Sequence, residues 1–293
     1  MSVTVRPHRS VLYMPGSNSR ALEKAKTLAA DVFIFDLEDS VSPEMKGEAR
    51  VLVAQASRAA NQGQYGQKVI CIRVNGLDTP WGEDDLKSAA AANPDAILLP
   101  KVNSAADVHA ALDILEAAGL SEKTSIWVMM ETPLGILHAQ EIAASTPRMG
   151  AFIMGTSDLV KDLHAHHTTL RLPVITSLNL CVLAARAYGV LVIDGVYLHL
   201  TDEEGFAQSC VQGLEMGFDG KTLIHPKQLE TANRVFAPSE AVIEFSNRII
   251  VAHAEAVASG KGVVVVDGKL IENLHVQDAQ RIVALAQAIA ETA

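Results

Sequence analysis

Three things are scarce in this 293-residue chain: cysteine, long apolar runs and clustered positive charge. No apolar run approaches the roughly 18 residues needed to cross a bilayer, and the opening "MSVTVRPHRS" lacks the apolar stretch of a signal peptide. Cys71, Cys181 and Cys210 are odd in number and far apart, without CxxC spacing, so neither a disulfide framework nor a thiolate metal site is indicated. The 24 Lys and Arg residues are scattered among 34 acids, for a net charge of −10. With no basic stripe to neutralise a phosphate backbone, nucleic acid is not an expected partner. The expectation is a soluble, cytoplasmic protein with no membrane partner.

What the chain does have is apolar material. Hydrophobic residues make up 49% and charged residues 20%, enough to bury a large core. Apolar, β-rich runs recur along it: "SVLYMP" (10–15), "VFIFDLE" (32–38), "KVICIRVN" (68–75), "AILLPKV" (96–102), "SIWVMMET" (125–132), "AFIMGTSD" (151–158), "VLVIDGV" (190–196) and "KTLIHP" (221–226). These runs are continuous rather than alternating, as in strands covered on both faces, and helical patterns such as "SRALEKAKTLA" and "AADVHAALDILEAAG" separate several of them. Eight strand–helix units predict an α/β fold, a TIM (β/α)8 barrel over residues 1–237. The remainder, 238–293, reads as a helix, a strand pair turning on Asp267-Gly268 and a second helix, an extension or lid rather than a ninth unit.

In such a barrel the C-terminal ends of the strands carry the chemistry. Here those ends offer Asp36, Glu38 and Asp39, then Arg73 and Asn75, Lys101, Glu131, Asp158, Asp194 and His225. So acidic a rim calls for a cation. Glu131 and Asp158 fall on adjacent predicted strands, so two carboxylates come within reach of one ion. Hard oxygen ligands, with no Cys and no His at ligand spacing, favour Mg²⁺ or Mn²⁺ over Zn²⁺. The competing reading is that each acid caps a helix or pairs with a surface lysine. His164, His166 and His167 in "HAHH" form a loop that is either solvated or else a metal site or substrate lid, and His225 is either a hydrogen-bonded core residue or a supporting group of the site.

Taken together and in order, "LYMPGSNSRALEKA", "FDLEDSVSPEMK", "IRVNGLDT", "LLPKV", "METPLGILHA", "MGTSDL" and "GKTLIHPKQ" resemble the HpcH/HpaI aldolase and citrate lyase β-subunit superfamily. The closer likeness is to its coenzyme A thioester branch of malyl-CoA lyases and thioesterases. The resemblance implies a Mg²⁺-dependent barrel with Glu131 and Asp158 as metal ligands and Arg73 at the thioester carbonyl, stabilising the charge that develops there. Glu38 would orient Arg73, Asp39 is a further catalytic candidate, and the amides of Gly155, Thr156 and Ser157 would hold the substrate carboxylate. The coenzyme A carried by the substrate brings phosphates, for which the resemblance points to Lys24. An Arg common after "PGS" is Asn18 here, which leaves Arg20 as the candidate replacement. Glu272 in "GKLIENLHV" matches an acid–base position that relatives supply as Asp from a neighbouring subunit's lid, within a homotrimer or hexamer. The activity implied is carbon–carbon cleavage or thioester hydrolysis of a malyl-CoA-like 3-hydroxyacyl-CoA. Two alternatives are a citryl lyase subunit served by an acyl-carrier protein and a non-catalytic coenzyme A-binding barrel.

Overall fold

A computed structural model describes residues 6–260 and 263–292. All eight expected strands form: β1 (Ser10–Pro15), β2 (Val32–Asp36), β3 (Val69–Arg73), β4 (Ala96–Leu99), β5 (Ser125–Met130), β6 (Met149–Met154), β7 (Leu191–Asp194) and β8 (Gly220–Leu223). They are parallel and joined in sequence order, and β8 pairs back onto β1 to close the barrel. Helices follow the strands and cover the outside, as the TIM barrel predicted.

Strand parity divides the side chains between two cores. Val11, Val32, Ile34, Val69, Cys71, Leu98, Trp127, Met129, Ile153 and Ile193 pack together inside the barrel. Their neighbours in sequence, such as Phe33, Phe35, Ile70, Ile72 and Val128, face outward and pack beneath the helices. Phe35 meets Tyr65 edge-on at 5.6 Å. Each large side chain buried this way stabilises the fold by about 1.5–3 kcal/mol.

The inward parity continues past the apolar layers. Tyr13 follows Val11, Asp36 follows Ile34, Arg73 follows Cys71 and Glu131 follows Met129, so the upper layer of the barrel is polar. On the β6 and β7 side the same parity reaches Gly155 and Gly195. A Cβ on Gly155 would stand 2.5 Å from Glu131 Oε2, and one on Gly195 would stand 2.5 Å from Thr156 Oγ1. These two glycines leave room at the barrel mouth that no other residue would.

Several strands end sooner than their apolar runs suggest. β4 stops at Leu99 because Pro100 has no N–H to extend the ladder. β6 stops at Met154, and Asp158 therefore lies in the first turn of the helix Thr156–Asp162 rather than on the strand. After β5, Thr132 caps the short helix Pro133–Leu137 by accepting the Gly135 N–H at 3.0 Å. A side chain at Gly135 would strike the Val102 carbonyl, which accounts for the Pro and Gly directly behind Glu131.

The chain divides into two compact units, one of residues 8–236 and one that takes in residues 6–7 together with the segment from Ala237 onward. The second holds the helices Glu240–Ala258 and Asn273–Thr292 with the antiparallel pair β9 (Val264–Val266) and β10 (Lys269–Ile271) between them. Asp267 and Gly268 both have positive φ, 49° and 76°, as a two-residue type I′ turn requires. Ile249, Val266, Ile271, Val276 and Ala279 form this unit's own small core.

Candidate active site

Register places Asp36 opposite Arg73 on adjacent strands, with both side chains inside the barrel. The guanidinium meets that carboxylate as a fork, Nε to Oδ1 and Nη2 to Oδ2, both at 2.7 Å. Nη1 donates to Asp39 Oδ2 at 3.3 Å and stands 2.7 Å from Glu38 Oε2 as an ion pair that is not aligned as a hydrogen bond. The Tyr13 ring lies against the guanidinium at 5.0 Å. Burial by itself would raise the Asp36 pKa, but Arg73 outweighs it and holds the carboxyl below its usual range. Glu38 goes the other way: burial raises its pKa despite Arg73 and Lys101. The sequence pointed to Glu38 as the group that orients Arg73; Glu38 does pair with it, and Asp36 adds the two-bond fork that the sequence left unassigned. Strand parity carried that signal, since Asp36 shares the face of Ile34.

A second buried cluster holds the Glu38 loop in place. The Lys46 ammonium donates to the carbonyls of Leu37 and Glu38 and to Asn75 Oδ1, all within 2.8 Å. Asn75 in turn donates to Leu37 O and to Asp85, which also accepts from Arg50 at 2.6 Å. Lys46 had no predicted role, yet its cation fixes the main chain from which Glu38 projects.

Glu131 is 2% exposed. Its Oε1 accepts the Lys101 N–H at 2.8 Å, while Oε2 faces the space left by Gly155. Burial first, with the nearby Glu38 and Asp158 carboxylates adding to it, pushes its pKa up to about 7, against the opposing pull of the Lys101 amide and Arg73. A buried carboxylate with one oxygen unengaged and a second acid nearby suits a hard divalent cation. Among the described residues no three His, Cys, Asp or Glu side chains are grouped to hold a metal. Two carboxylates with the remaining positions left to water and substrate is the usual arrangement for Mg²⁺.

The other expected residues fall as follows. The Gly155 amide already donates to Met130 O at 3.1 Å, so Gly155 contributes space rather than a donor. The Thr156 and Ser157 amides open the helix Thr156–Asp162 and have no partner within it. Asn18 caps the helix Ser19–Ala25 by accepting the Ala21 N–H at 3.0 Å, while Arg20 and Lys24 on that helix are exposed. Glu272 lies in the other unit, exposed, at the start of the helix Asn273–Thr292, with its N–H on His275 Nδ1 at 3.0 Å. His164, His166 and His167 lie in an exposed loop, and the last two line a cavity of about 510 Å³ together with Arg171, Tyr197 and His199. His225 caps the turn Pro226–Gln228 through Lys227 N at 3.1 Å and is neither a core residue nor part of the Arg73 cluster. Asp194 points outward, away from the mouth, and is bound by Lys221 Nζ at 2.7 Å and Arg171 Nη1 at 2.6 Å.

Comparison with known proteins adds to this geometry. The sequence profile of the HpcH/HpaI aldolase/citrate lyase family matches residues 9–226. The chain is 51% identical over 290 residues to a (3S)-malyl-CoA thioesterase of Cereibacter sphaeroides, covering 99% of this chain and 98% of that protein. It is 36% identical over 309 residues to an L-malyl-CoA/β-methylmalyl-CoA lyase of the same organism, covering 97% and 96%. Among solved structures, protein CitE of Mycobacterium tuberculosis in complex with magnesium, acetoacetate and coenzyme A superposes with a TM-score of 0.74 at 25% identity, over 97% of this chain and all of that one.

Proposed function

The chain belongs to the HpcH/HpaI aldolase/citrate lyase family, and from that premise we propose that it is a Mg²⁺-dependent enzyme of malyl-CoA-like 3-hydroxyacyl-CoA thioesters that acts by hydrolysis. The observation that carries the reading is the upper layer of the barrel, where an Arg73 fixed by Asp36 shares one mouth with the underused carboxylate Glu131. The higher identity to the thioesterase than to the lyase favours hydrolysis over carbon–carbon cleavage.

Glu131 and Asp158 would hold the cation, which when bound supplies Lewis-acid polarisation of a substrate oxygen and offsets the acidic rim. The chain's own groups do the rest. Asp36 takes Nε–H and one Nη2–H of Arg73, leaving the other Nη2–H for the thioester oxygen. When water adds to the thioester carbon, the C=O electron pair moves onto that oxygen, beside the guanidinium. The C–S bond then breaks, the sulfur takes up a proton, and malate and free coenzyme A separate. The Thr156 and Ser157 amides orient the substrate carboxylate, and the exposed Lys24 and Arg20 receive phosphate. Glu272 removes the proton from the attacking water. It reaches the site from a neighbouring copy, within a cytoplasmic homotrimer or hexamer.

Incubation with (3S)-malyl-CoA and Mg²⁺, with the products resolved, tests the chemistry. Malate plus free coenzyme A is the expected pair, and glyoxylate plus acetyl-CoA would make the protein a lyase instead. The role of Glu272 in trans is tested by mixing Arg73→Ala with Glu272→Ala subunits under exchange. Partial recovery is expected, because some interfaces then pair an intact barrel with an intact lid; exchange without recovery would refute it.

A further inference from the structure

Lys101 follows Pro100 at the exit of β4 with a φ of 49°. In this left-handed region the Cβ of any residue but glycine is crowded, and a lysine there is unusual. Strained residues of this kind collect where a site needs a group held in one place.

Lys101 reaches two carboxylates of the site at once. Its N–H donates to Glu131 Oε1 at 2.8 Å, and its ammonium donates to Glu38 Oε1, also at 2.8 Å. The other oxygen of Glu38 faces Arg73. Half of the Lys101 side chain is exposed (49%), whereas that of Glu38 is 8% exposed. Lys101 and Arg73 are the cations on the Glu38 carboxylate among the described residues. A half-exposed ion pair adds little to stability, so stability alone does not explain a strained lysine where glycine would sit without strain.

We propose that Lys101 is a positioning residue for both halves of the site. Its main chain fixes Glu131 so that Oε2 is the oxygen left for a cation, and its ammonium holds Glu38 against Arg73. The inference rests on the functional reading above.

Three variants test it. Lys101→Gly and Lys101→Ala both lose the ammonium, but only alanine keeps the crowded Cβ. Lys101→Cys followed by 2-bromoethylamine restores an ammonium of nearly lysine length, and the native cysteines are all buried away from the reagent. Both truncations should lose about tenfold or more in kcat on malyl-CoA, with KM within about threefold, the pattern of lost alignment. Aminoethylation of the cysteine variant should restore most of the loss. Calorimetry should find Mg²⁺ affinity in Lys101→Gly within about threefold of wild type, because the amide and its direction remain. Lys101→Gly should melt roughly 2–4 °C above Lys101→Ala. A smaller loss of kcat in Lys101→Gly, no recovery on aminoethylation, weaker Mg²⁺ binding in Lys101→Gly, or an alanine variant as stable as the glycine one would each overturn the proposal. Wild type assayed alongside separates the two failures: inactive wild type refutes the functional reading, whereas active wild type with an unimpaired Lys101→Gly refutes the role of Lys101.

Discussion

Replacing Gly155 with alanine adds one methyl group to the upper layer of the barrel. The backbone there has φ −96°, which alanine adopts freely, so the effect is purely steric. The new Cβ would stand 2.5 Å from Glu131 Oε2 and 3.0 Å from Met129 Cε, and it would be closer still to Glu131 Cβ. Ordinary non-bonded separations are about 3.5 Å, so the Glu131 carboxylate must retreat by about 1 Å. A misplacement of that size costs on the order of 100-fold in rate, and overpacking costs about 1–3 kcal/mol of stability. Turnover of (3S)-malyl-CoA should fall by about 100-fold and Mg²⁺ affinity should drop in calorimetry. The melting temperature should fall by only about 2–10 °C, so most of the activity loss occurs in folded protein. A Gly155→Ala protein with wild-type turnover and wild-type Mg²⁺ affinity would refute the placement of Glu131 as a ligand.

Arg73→Lys keeps the charge but loses the fork that Asp36 and the substrate share, and kcat should fall at least about 100-fold; a change confined to KM would mean that Arg73 only binds substrate. Asp36→Asn leaves that buried guanidinium short of its main partner and should destabilise the fold by about 3–5 kcal/mol in denaturant unfolding. Because the folded state holds the Asp36 pKa below the ordinary 3.8, its contribution is present above that value and is lost as pH falls through the depressed one. Glu131 has the opposite sign: raised from 4.5 to about 7, it favours folding below pH 4.5 and loses that contribution as pH rises toward 7. Cation binding needs the carboxylate, so apparent Mg²⁺ affinity measured by calorimetry should climb about tenfold per pH unit up to about pH 7 and then level off; a flat profile between pH 5.5 and 8 would contradict it.

The barrel was legible because its strands are covered on both faces and so appear as uninterrupted apolar runs, all but the first with a polar residue at or near the end. Arg73 and Glu131 stand out at those ends, and the parity that places them inside the barrel also places Asp36 there. The limits of the runs misled where backbone chemistry intervened. Pro100 ends β4 before Lys101, and the chain turns at Gly155 before Asp158, so hydrophobicity alone drew both strands too long. Asp194 belongs to the outward parity and meets Lys221 and Arg171 instead of the mouth. The left-handed backbone of Lys101 and the grip of Lys46 on the Leu37 and Glu38 carbonyls leave no mark in composition or periodicity. Both depend on how segments 37–46 and 100–103 fold against residues distant in the chain, which local pattern does not encode.

A crystal structure of the protein grown with Mg²⁺ and coenzyme A tests the central claim most directly. The expected result is an ion about 2.1 Å from Glu131 Oε2 and from an Asp158 oxygen, with octahedral coordination completed by water or substrate, and the coenzyme A sulfur directed toward Arg73. An ion bound elsewhere with Glu131 empty, or coenzyme A seated away from Arg73, would contradict it.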